Sequence, residues 1–588
     1  MELLGYWGVH DDFHIQERLA LLSGGDSVHA IPGCAWAVSS GAADGEGVYR
    51  IRDTQGRQVG ALLGWLSGHP VCPDTRTSQL TFVQVDAATA FIDRAWGAYA
   101  ALTANAQRLV LQVDHVGFRT FFWMPYQSGI VFGSRLAELV ELAGHQPGFD
   151  WSYLGDYLLH GNLPTTATGL TGVRRLLPGR RREVTMHERN EYVRWTPLAI
   201  AADASGRAPS PQSLRHWVDT CVDTWAGDAE RVYVELSGGL DSAVIARSLV
   251  ASGRRVIGGH FHHPESALAD EHTYARSIAH HLGIELHVID ASEALPLTPV
   301  ESWKDRWDAP TATCAWQSLT AAHQRLAERH GCRVIMAGTG GDHVFVARPG
   351  WPWYLDDHLH NAGIRDAFRQ VVAVSWRTGI PIVALMTQLA RRRLARRRGR
   401  SAPMEQLCPE VDRPLWLNRE AVDPVVPSLA MQPASGAALP AGKAAQAVEL
   451  TLLSCAIGVG HSGRRAARTA FPLLSQPLIE LGLRTRLDAM IDAYTDRKLL
   501  RTAMRDHLPE QAVRRCDKGE HTATWQRGIR ANLTSVRELV GDGLLAQQDI
   551  IDRRRALDAV SAAALGHTGR LWPLVNLLCA ELWLRSWS

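Results

Sequence analysis

The stretch Arg231-Val232-Tyr233-Val234-Glu235-Leu236, followed at once by Ser237-Gly238-Gly239-Leu240-Asp241-Ser242, decides how this chain is read. Its first half is a short, largely apolar run that reads as a strand. The glycines then make a turn, and an apolar stretch from Ala243 to Ala251 reads as a helix. In an open α/β sheet, ligands sit outside the carboxyl ends of the strands. A glycine-rich turn into a helix lets backbone N–H groups close on a phosphate there. Asp241 adds negative charge to such an anion site, which makes sense if it carries Mg²⁺ bridging triphosphate oxygens. A plain strand-to-helix turn is the alternative, and Ser-Gly-Gly by itself would not decide against it. The six residues in this order at this junction favour a nucleotide site made by Leu236, Ser237, Gly238, Gly239, Leu240, Asp241 and Ser242. No G-x-x-x-x-G-K-[ST] motif occurs, which disfavours a Walker-type NTPase.

On either side of this junction the pattern supports a parallel sheet. Val256–Phe261, Glu285–Ile289 and Arg333–Ala337 read as further strands, with helices at Glu271–Leu282 and Ala315–Glu328. Strands separated by helices of this length predict a doubly wound α/β fold. The last strand ends in Gly338-Thr339-Gly340-Gly341-Asp342, and from about 352 onward the chain reads as largely helical. Residues 1 to about 195 read differently, as strands and turns, including Leu109–Val113 and Gly129–Phe132. Residues 199–211 are small, polar and proline-containing, as expected of a linker. The expected organisation is thus 1–198, a linker at 199–211, and 212–588.

Bulk properties exclude several classes. With 588 residues the chain is too long for one core. A formal net charge of +2 gives no reason to expect nucleic acid as a partner. No signal peptide or transmembrane run is visible, and the nine scattered cysteines, never in a C-x-x-C pair, read as reduced thiols in a cytoplasmic protein. Only four lysines occur, Lys304, Lys443, Lys498 and Lys518, so a lysine retained in this arginine-rich background merits attention.

The Ser237–Ser242 loop resembles the pyrophosphatase loop of the asparagine synthetase family, which cleaves ATP to AMP and pyrophosphate. Further resemblance extends over most of the chain. Asp270-Glu271 with Tyr274-Ala275 and Ile278-Ala279 is similar to the family's helix after the second strand. Gly338–Asp342 resembles its second nucleotide and metal loop, and Phe471-Pro472-Leu473-Leu474 and Asp496-Arg497-Lys498-Leu499-Leu500-Arg501 resemble two later segments. Asp114-His115-Val116-Gly117, Phe121-Phe122-Trp123, Phe132-Gly133-Ser134 and Leu176-Leu177-Pro178-Gly179 look like its glutaminase-like domain. The resemblance implies an N-terminal Ntn-hydrolase-like αββα domain and a C-terminal ATP pyrophosphatase domain with helical additions. It implies ATP and Mg²⁺ as cofactors. Gly340 and Gly341 would join the nucleotide site, Asp241 and Asp342 would share the metal, and Lys518 would steady charge during acyl transfer. Arg497 stands where the family has a lysine facing the pyrophosphate.

Departures from the family narrow the expectation. A glutaminase of this kind needs cysteine just after the initiator methionine. Glu2 stands there and the first cysteine is Cys34, so the N-terminal domain is expected to be a scaffold or peptide-docking surface. Relatives lacking that cysteine include β-lactam synthetases and lasso-peptide macrolactam cyclases. Gly340–Phe345 and Phe471–Leu478 look most like the cyclases, which implies adenylation of an Asp or Glu side chain of a leaderless precursor peptide. The peptide's N-terminal amine would then close the ring, with a leader-binding protein and a leader peptidase as partners. A β-lactam synthetase or other small-molecule amide ligase, an asparagine synthetase using free ammonia, and a non-catalytic scaffold are the alternatives. Thr339 is a poor base at neutral pH; His343 and Asp308 are the other candidates, each with a structural reading beside it. The run Arg391–Arg400 reads as a solvated helix face that could dock an acidic peptide, a partner protein or a membrane surface.

Overall fold

The computed structural model describes residues 2–8, 13–23, 28–31, 34–39, 47–68, 77–127, 129–203, 208–263, 271–300, 305–347, 352–397, 413–418, 439–460, 467–515, 522–567 and 571–588. Lys518, Asp270 and Arg398–Arg400 lie outside them. The N-terminal part is built on alternation. Along Glu2–Trp7, Leu3 and Trp7 enter one apolar core while Leu4 and Tyr6 enter another, as the two-residue period of a strand dictates. Glu2–Trp7 lies inside a six-stranded sheet, between Gly129–Gly133 and Cys34–Ser39, both antiparallel to it. A seven-stranded sheet packs against this one, with Leu63, Ala100, Leu102, Leu109 and Leu111 filling the space between them.

The outer face of the seven-stranded sheet is covered by the helix Val85–Arg94, through Ala88 and Ile92. Helices Phe13–Leu22 and Leu136–Ala143 cover the outer face of the other. Helix, sheet, sheet, helix is therefore the layer order, the αββα arrangement expected.

In the C-terminal part the described strands form one five-stranded parallel sheet in the order Glu285–Asp290, Arg255–His262, Arg231–Glu235, Val334–Met336, Arg468–Ala470. On the central strand Val232 and Val234 face one core while Tyr233 faces the other, so both sides are buried. Order along the sheet reverses between Arg231–Glu235 and Val334–Met336, and such a switch point is where a doubly wound sheet opens a crevice for its ligand.

Two expectations change. The start of the expected linker is helical, because Pro197 takes a first-turn position and Thr196 accepts from Ala199 N to cap Pro197–Ala202. The helix expected at Ala315–Glu328 is split at Trp316 into Ala312–Ala315 and Gln317–Arg329. The helical C-terminal end packs back on the N-terminal part: Leu571–Trp587 shares a core with the layer that covers the six-stranded sheet. Among the described residues no helix is long and apolar enough to cross a membrane.

Candidate active site

The strand Arg231–Glu235 ends at Leu236, which is fully buried and holds register by donating its N–H to Gly259 O at 2.8 Å. The turn that follows could be made by few other residues. Gly238 has φ +88°, and a Cβ on it would stand 2.8 Å from Glu271 O. Ser237 Oγ accepts from Gly239 N at 3.2 Å and lies 3.1 Å from Ser242 Oγ, which closes the loop on itself. The helix Leu240–Ala251 then starts with no side chain capping it. Its first-turn N–H groups, with the positive end of the helix dipole, are therefore left for an anion.

Across the switch point the strand Val334–Met336 leads into Gly338–Asp342, and the two loops interlock. Gly340 has φ +95°, and a Cβ there would overlap Leu474 Cγ at 2.2 Å. A Cβ on Gly341 would stand 2.4 Å from Asp241 Cγ. Glycine in the second loop is thus what lets the carboxylate of the first come alongside it.

Arg497 joins them. Its guanidinium donates to Asp241 Oδ2 at 2.9 Å, to Asp342 Oδ1 at 3.0 Å and to Asp496 Oδ2 at 3.2 Å. Burial alone would lower its pKa, but Asp241, Asp496 and Asp342 together raise it, so the charge is fixed. Arg497 is held in the left-handed region, φ 47°, a conformation that costs a non-glycine residue about 1–3 kcal/mol. Its N–H bonds Val346 O at 3.1 Å, and the next residue's N–H bonds Met490 O at 2.9 Å, so the surrounding chain dictates that conformation. Arg501 pairs with Asp496 and anchors the start of the same helix.

Within this cluster Asp241, Asp342 and Asp496 face Arg497, and Asp496 also faces Arg501. Asp241 is buried, while the Asp342 side chain is 31% exposed. Two hard carboxylate donors converging beside an uncapped helix start fit Mg²⁺. The structure thus brings Leu236–Ser242, Gly340, Gly341, Asp342 and Arg497 together; Lys518 lies outside the described residues. Arg515, three residues before Lys518, pairs with Glu271 at 2.8 Å, and Glu271 O is the atom packed on Gly238.

The base candidates fare differently. Asp308 is a structural anchor: it accepts from Leu136 N, Gly460 N and the Arg135 guanidinium at 2.9–3.0 Å, tying the two parts of the chain together. His343 is half-buried and Thr339 exposed. Sequence reading missed the scaffolding of the second loop. Lys443 is buried and donates to Gln446 Oε1 at 2.7 Å; Gln446 Nε2 in turn donates to the carbonyls of His343 and Val344. It also missed three histidines at the carboxyl end of the strand Arg255–His262. His260 Nδ1 donates to Leu236 O at 2.9 Å, and His272 stands between His260 and His262, with ring centroids 5.6 and 4.8 Å away. Their spacing in sequence carries no pattern that would have found them.

Cys34, Cys221, Cys314, Cys332, Cys455 and Cys579 are all buried and unpaired, and burial raises each thiol's pKa. None of these described cysteines is poised as a nucleophile.

Residues 213–585 match the family model described as asparagine synthase, and residues 74–195 match that of a glutamine amidotransferase domain. Among solved structures the chain is similar to the allosteric regulatory enzyme of purine biosynthesis. That match has 12% identity, covers 51% of this chain and 82% of the other, and has a TM-score of 0.21. It is also similar to glutamine phosphoribosylpyrophosphate amidotransferase from B. subtilis complexed with ADP and GMP, at 12% identity, 51% and 83% coverage and a TM-score of 0.21. No curated protein matches the chain.

Proposed function

The chain belongs to the asparagine synthase family, and from that premise we propose that it activates a peptide carboxylate with ATP and closes a macrolactam, as in lasso-peptide biosynthesis. The family match implies ATP-dependent amide-bond formation. The observation that carries the adenylation reading is the convergence of Asp241, Asp342 and Arg497 beside an uncapped helix start.

In the proposed reaction the N–H groups at the start of the helix Leu240–Ala251 hold the triphosphate. An Asp or Glu side-chain carboxylate of the leaderless peptide attacks the α-phosphorus. The bond from that phosphorus to the pyrophosphate oxygen breaks, giving an acyl-adenylate and pyrophosphate. Asp241 and Asp342 would hold Mg²⁺, which when bound supplies counter-charge for the triphosphate. Arg497 keeps the two carboxylates in register and presents fixed positive charge behind them. The peptide's α-amine then attacks the acyl carbon, a tetrahedral centre forms and collapses, and AMP leaves with its oxygen. Lys518, by its resemblance to the family lysine, supplies the cation at that step; a preorganised charge of this kind is worth about 3–4 kcal/mol.

The macrolactam reading rests on the resemblance of Gly340–Phe345 and Phe471–Leu478 to the cyclases, on Glu2 standing where the glutaminase has its cysteine, and on the burial of Cys34, the one described thiol of the N-terminal domain. That domain would then serve to dock the peptide or its leader-binding partner. Incubation with ATP, Mg²⁺ and a leaderless candidate peptide should give a product lighter by one water, with AMP released. Asp241→Asn and Lys518→Ala should abolish it in folded protein. Asparagine formed from aspartate and ammonia, with no cyclised peptide, would overturn the macrolactam while leaving the adenylation site standing.

A further inference from the structure

We propose that Glu285, His287 and His330 form a binding site for a divalent transition-metal ion of the Zn²⁺ class, separate from the ATP site. Glu285 and His287 are alternate residues of the edge strand Glu285–Asp290, so their side chains leave the same face. His330 comes from another element, the C-terminal end of the helix Gln317–Arg329. One potential ligand atom from each of the three lies within 4.8 Å of the other two.

The arrangement is not accounted for by a pairwise contact. His287 Nε2 lies 2.9 Å from Glu285 Oε1, which explains two of the three residues. The His330 ring is set against His287 with centroids 4.3 Å apart, yet its Nε2 is buried and makes no hydrogen bond among the described residues. Leaving a buried polar atom without a partner is unfavourable, and a cation bound at this nitrogen would satisfy it. The helix end fixes where this ring stands: His330 N donates to Leu326 O at 3.1 Å, and Gly331, φ +66°, turns the chain away immediately after. The negative end of the helix dipole there favours a cation. Arg255 opposes it, 3.9 Å from Glu285, but on the other carboxylate oxygen, Oε2.

Two imidazoles and one carboxylate form a nitrogen-rich set that selects Zn²⁺ or its neighbours over Mg²⁺, with a further position left for water. Glu285 pairs with Ile257 and through it stands level with Tyr233, four residues before Ser237, so the two sites are separated by about 13 Å along the strand direction and by two strands across the sheet. A bound ion would clip the edge strand to the helix Gln317–Arg329.

The test uses the full chain stripped with chelator and titrated calorimetrically with Zn²⁺ alone, with Co²⁺ as a visible-absorption probe of coordination. One saturable Zn²⁺ equivalent is expected, insensitive to excess Mg²⁺ and raising Tm. Glu285→Gln, at a half-exposed side chain, keeps the fold and should weaken binding by more than about tenfold; His330→Ala should abolish it, with circular dichroism confirming folding. Absence of saturable binding overturns the proposal, as does binding unchanged in both variants. Because no readout involves ATP, the outcome is independent of the adenylation site.

Discussion

Gly341→Ala tests the interlocked loops with a single methyl group. A Cβ at this position would stand 2.4 Å from Asp241 Cγ and 2.5 Å from its Oδ1. Ordinary carbon–carbon contact is about 3.5–4.0 Å, so Asp241 and Gly341 must separate by about 1 Å. The Gly341 backbone is not left-handed, so alanine is conformationally admitted and the effect is steric. Asp241 now meets Arg497 at 2.9 Å; an added ångström takes that contact out of hydrogen-bond range. Overpacking of this kind costs about 1–3 kcal/mol, which a domain with about 5–15 kcal/mol of stability survives. A 1 Å misplacement at a catalytic centre costs about 100-fold in rate, or about 2.7 kcal/mol in the barrier. Pyrophosphate exchange into ATP should therefore fall about 100-fold, with a modest drop in Tm. Gly148→Ala, with nothing within 4 Å of its Cβ, is the neutral control. Exchange at the wild-type rate in folded Gly341→Ala protein would refute the claim that these two loops form one site.

Three further outcomes follow from other contacts. Arg497→Lys keeps the charge but cannot bond Asp241, Asp342 and Asp496 together, so exchange should fall about 10- to 100-fold; unchanged rates would remove Arg497 from the machinery. Asp308→Ala breaks a largely buried ion pair and should lower stability in urea by about 3 kcal/mol, with turnover per folded molecule unchanged; loss of turnover in folded protein would restore Asp308 as a base. His115, 5% exposed and 2.6 Å from Gln476, has its pKa lowered to about 4, first by burial and then by Arg194. Being depressed below the unfolded value of about 6.5, it contributes stability that is full above that value. That contribution, up to about 3 kcal/mol, is lost as pH falls from 6.5 to 4. Tm against pH should therefore slope less steeply over that window in His115→Gln, and an equal slope would count against the assignment.

What could be read from the sequence depended on how locally each feature is encoded. The Ser237–Ser242 loop and the strands around it were legible because turn glycines and apolar runs act within a few residues. The fifth parallel strand, Arg468–Ala470, was not, since three residues show no period and its partner Val334–Met336 is more than 130 positions away. Arg497 could be recognised as a counterpart of a phosphate-facing lysine. The contacts it makes, to Asp241, Asp342 and Asp496 from a left-handed backbone, depend on Val346 and Met490 and have no local signature. Asp308 has a structural reading beside its reading as a base, and in the structure it is a docking point for Leu136 and Arg135, contacts more than 170 positions away that no local pattern encodes. The start of the expected linker folded into a helix because Thr196 and Pro197 supply a cap and first turn that the small, polar composition around them obscured.

The central claim is that ATP is cleaved between its α- and β-phosphates at the loop Ser237–Ser242. Analysis of the nucleotide products after incubation with Mg²⁺ and a leaderless peptide tests it most directly. The site described here predicts AMP and pyrophosphate in equal amounts, both lost in Asp241→Asn. ADP and inorganic phosphate, or AMP formation that persists in Asp241→Asn, would contradict it.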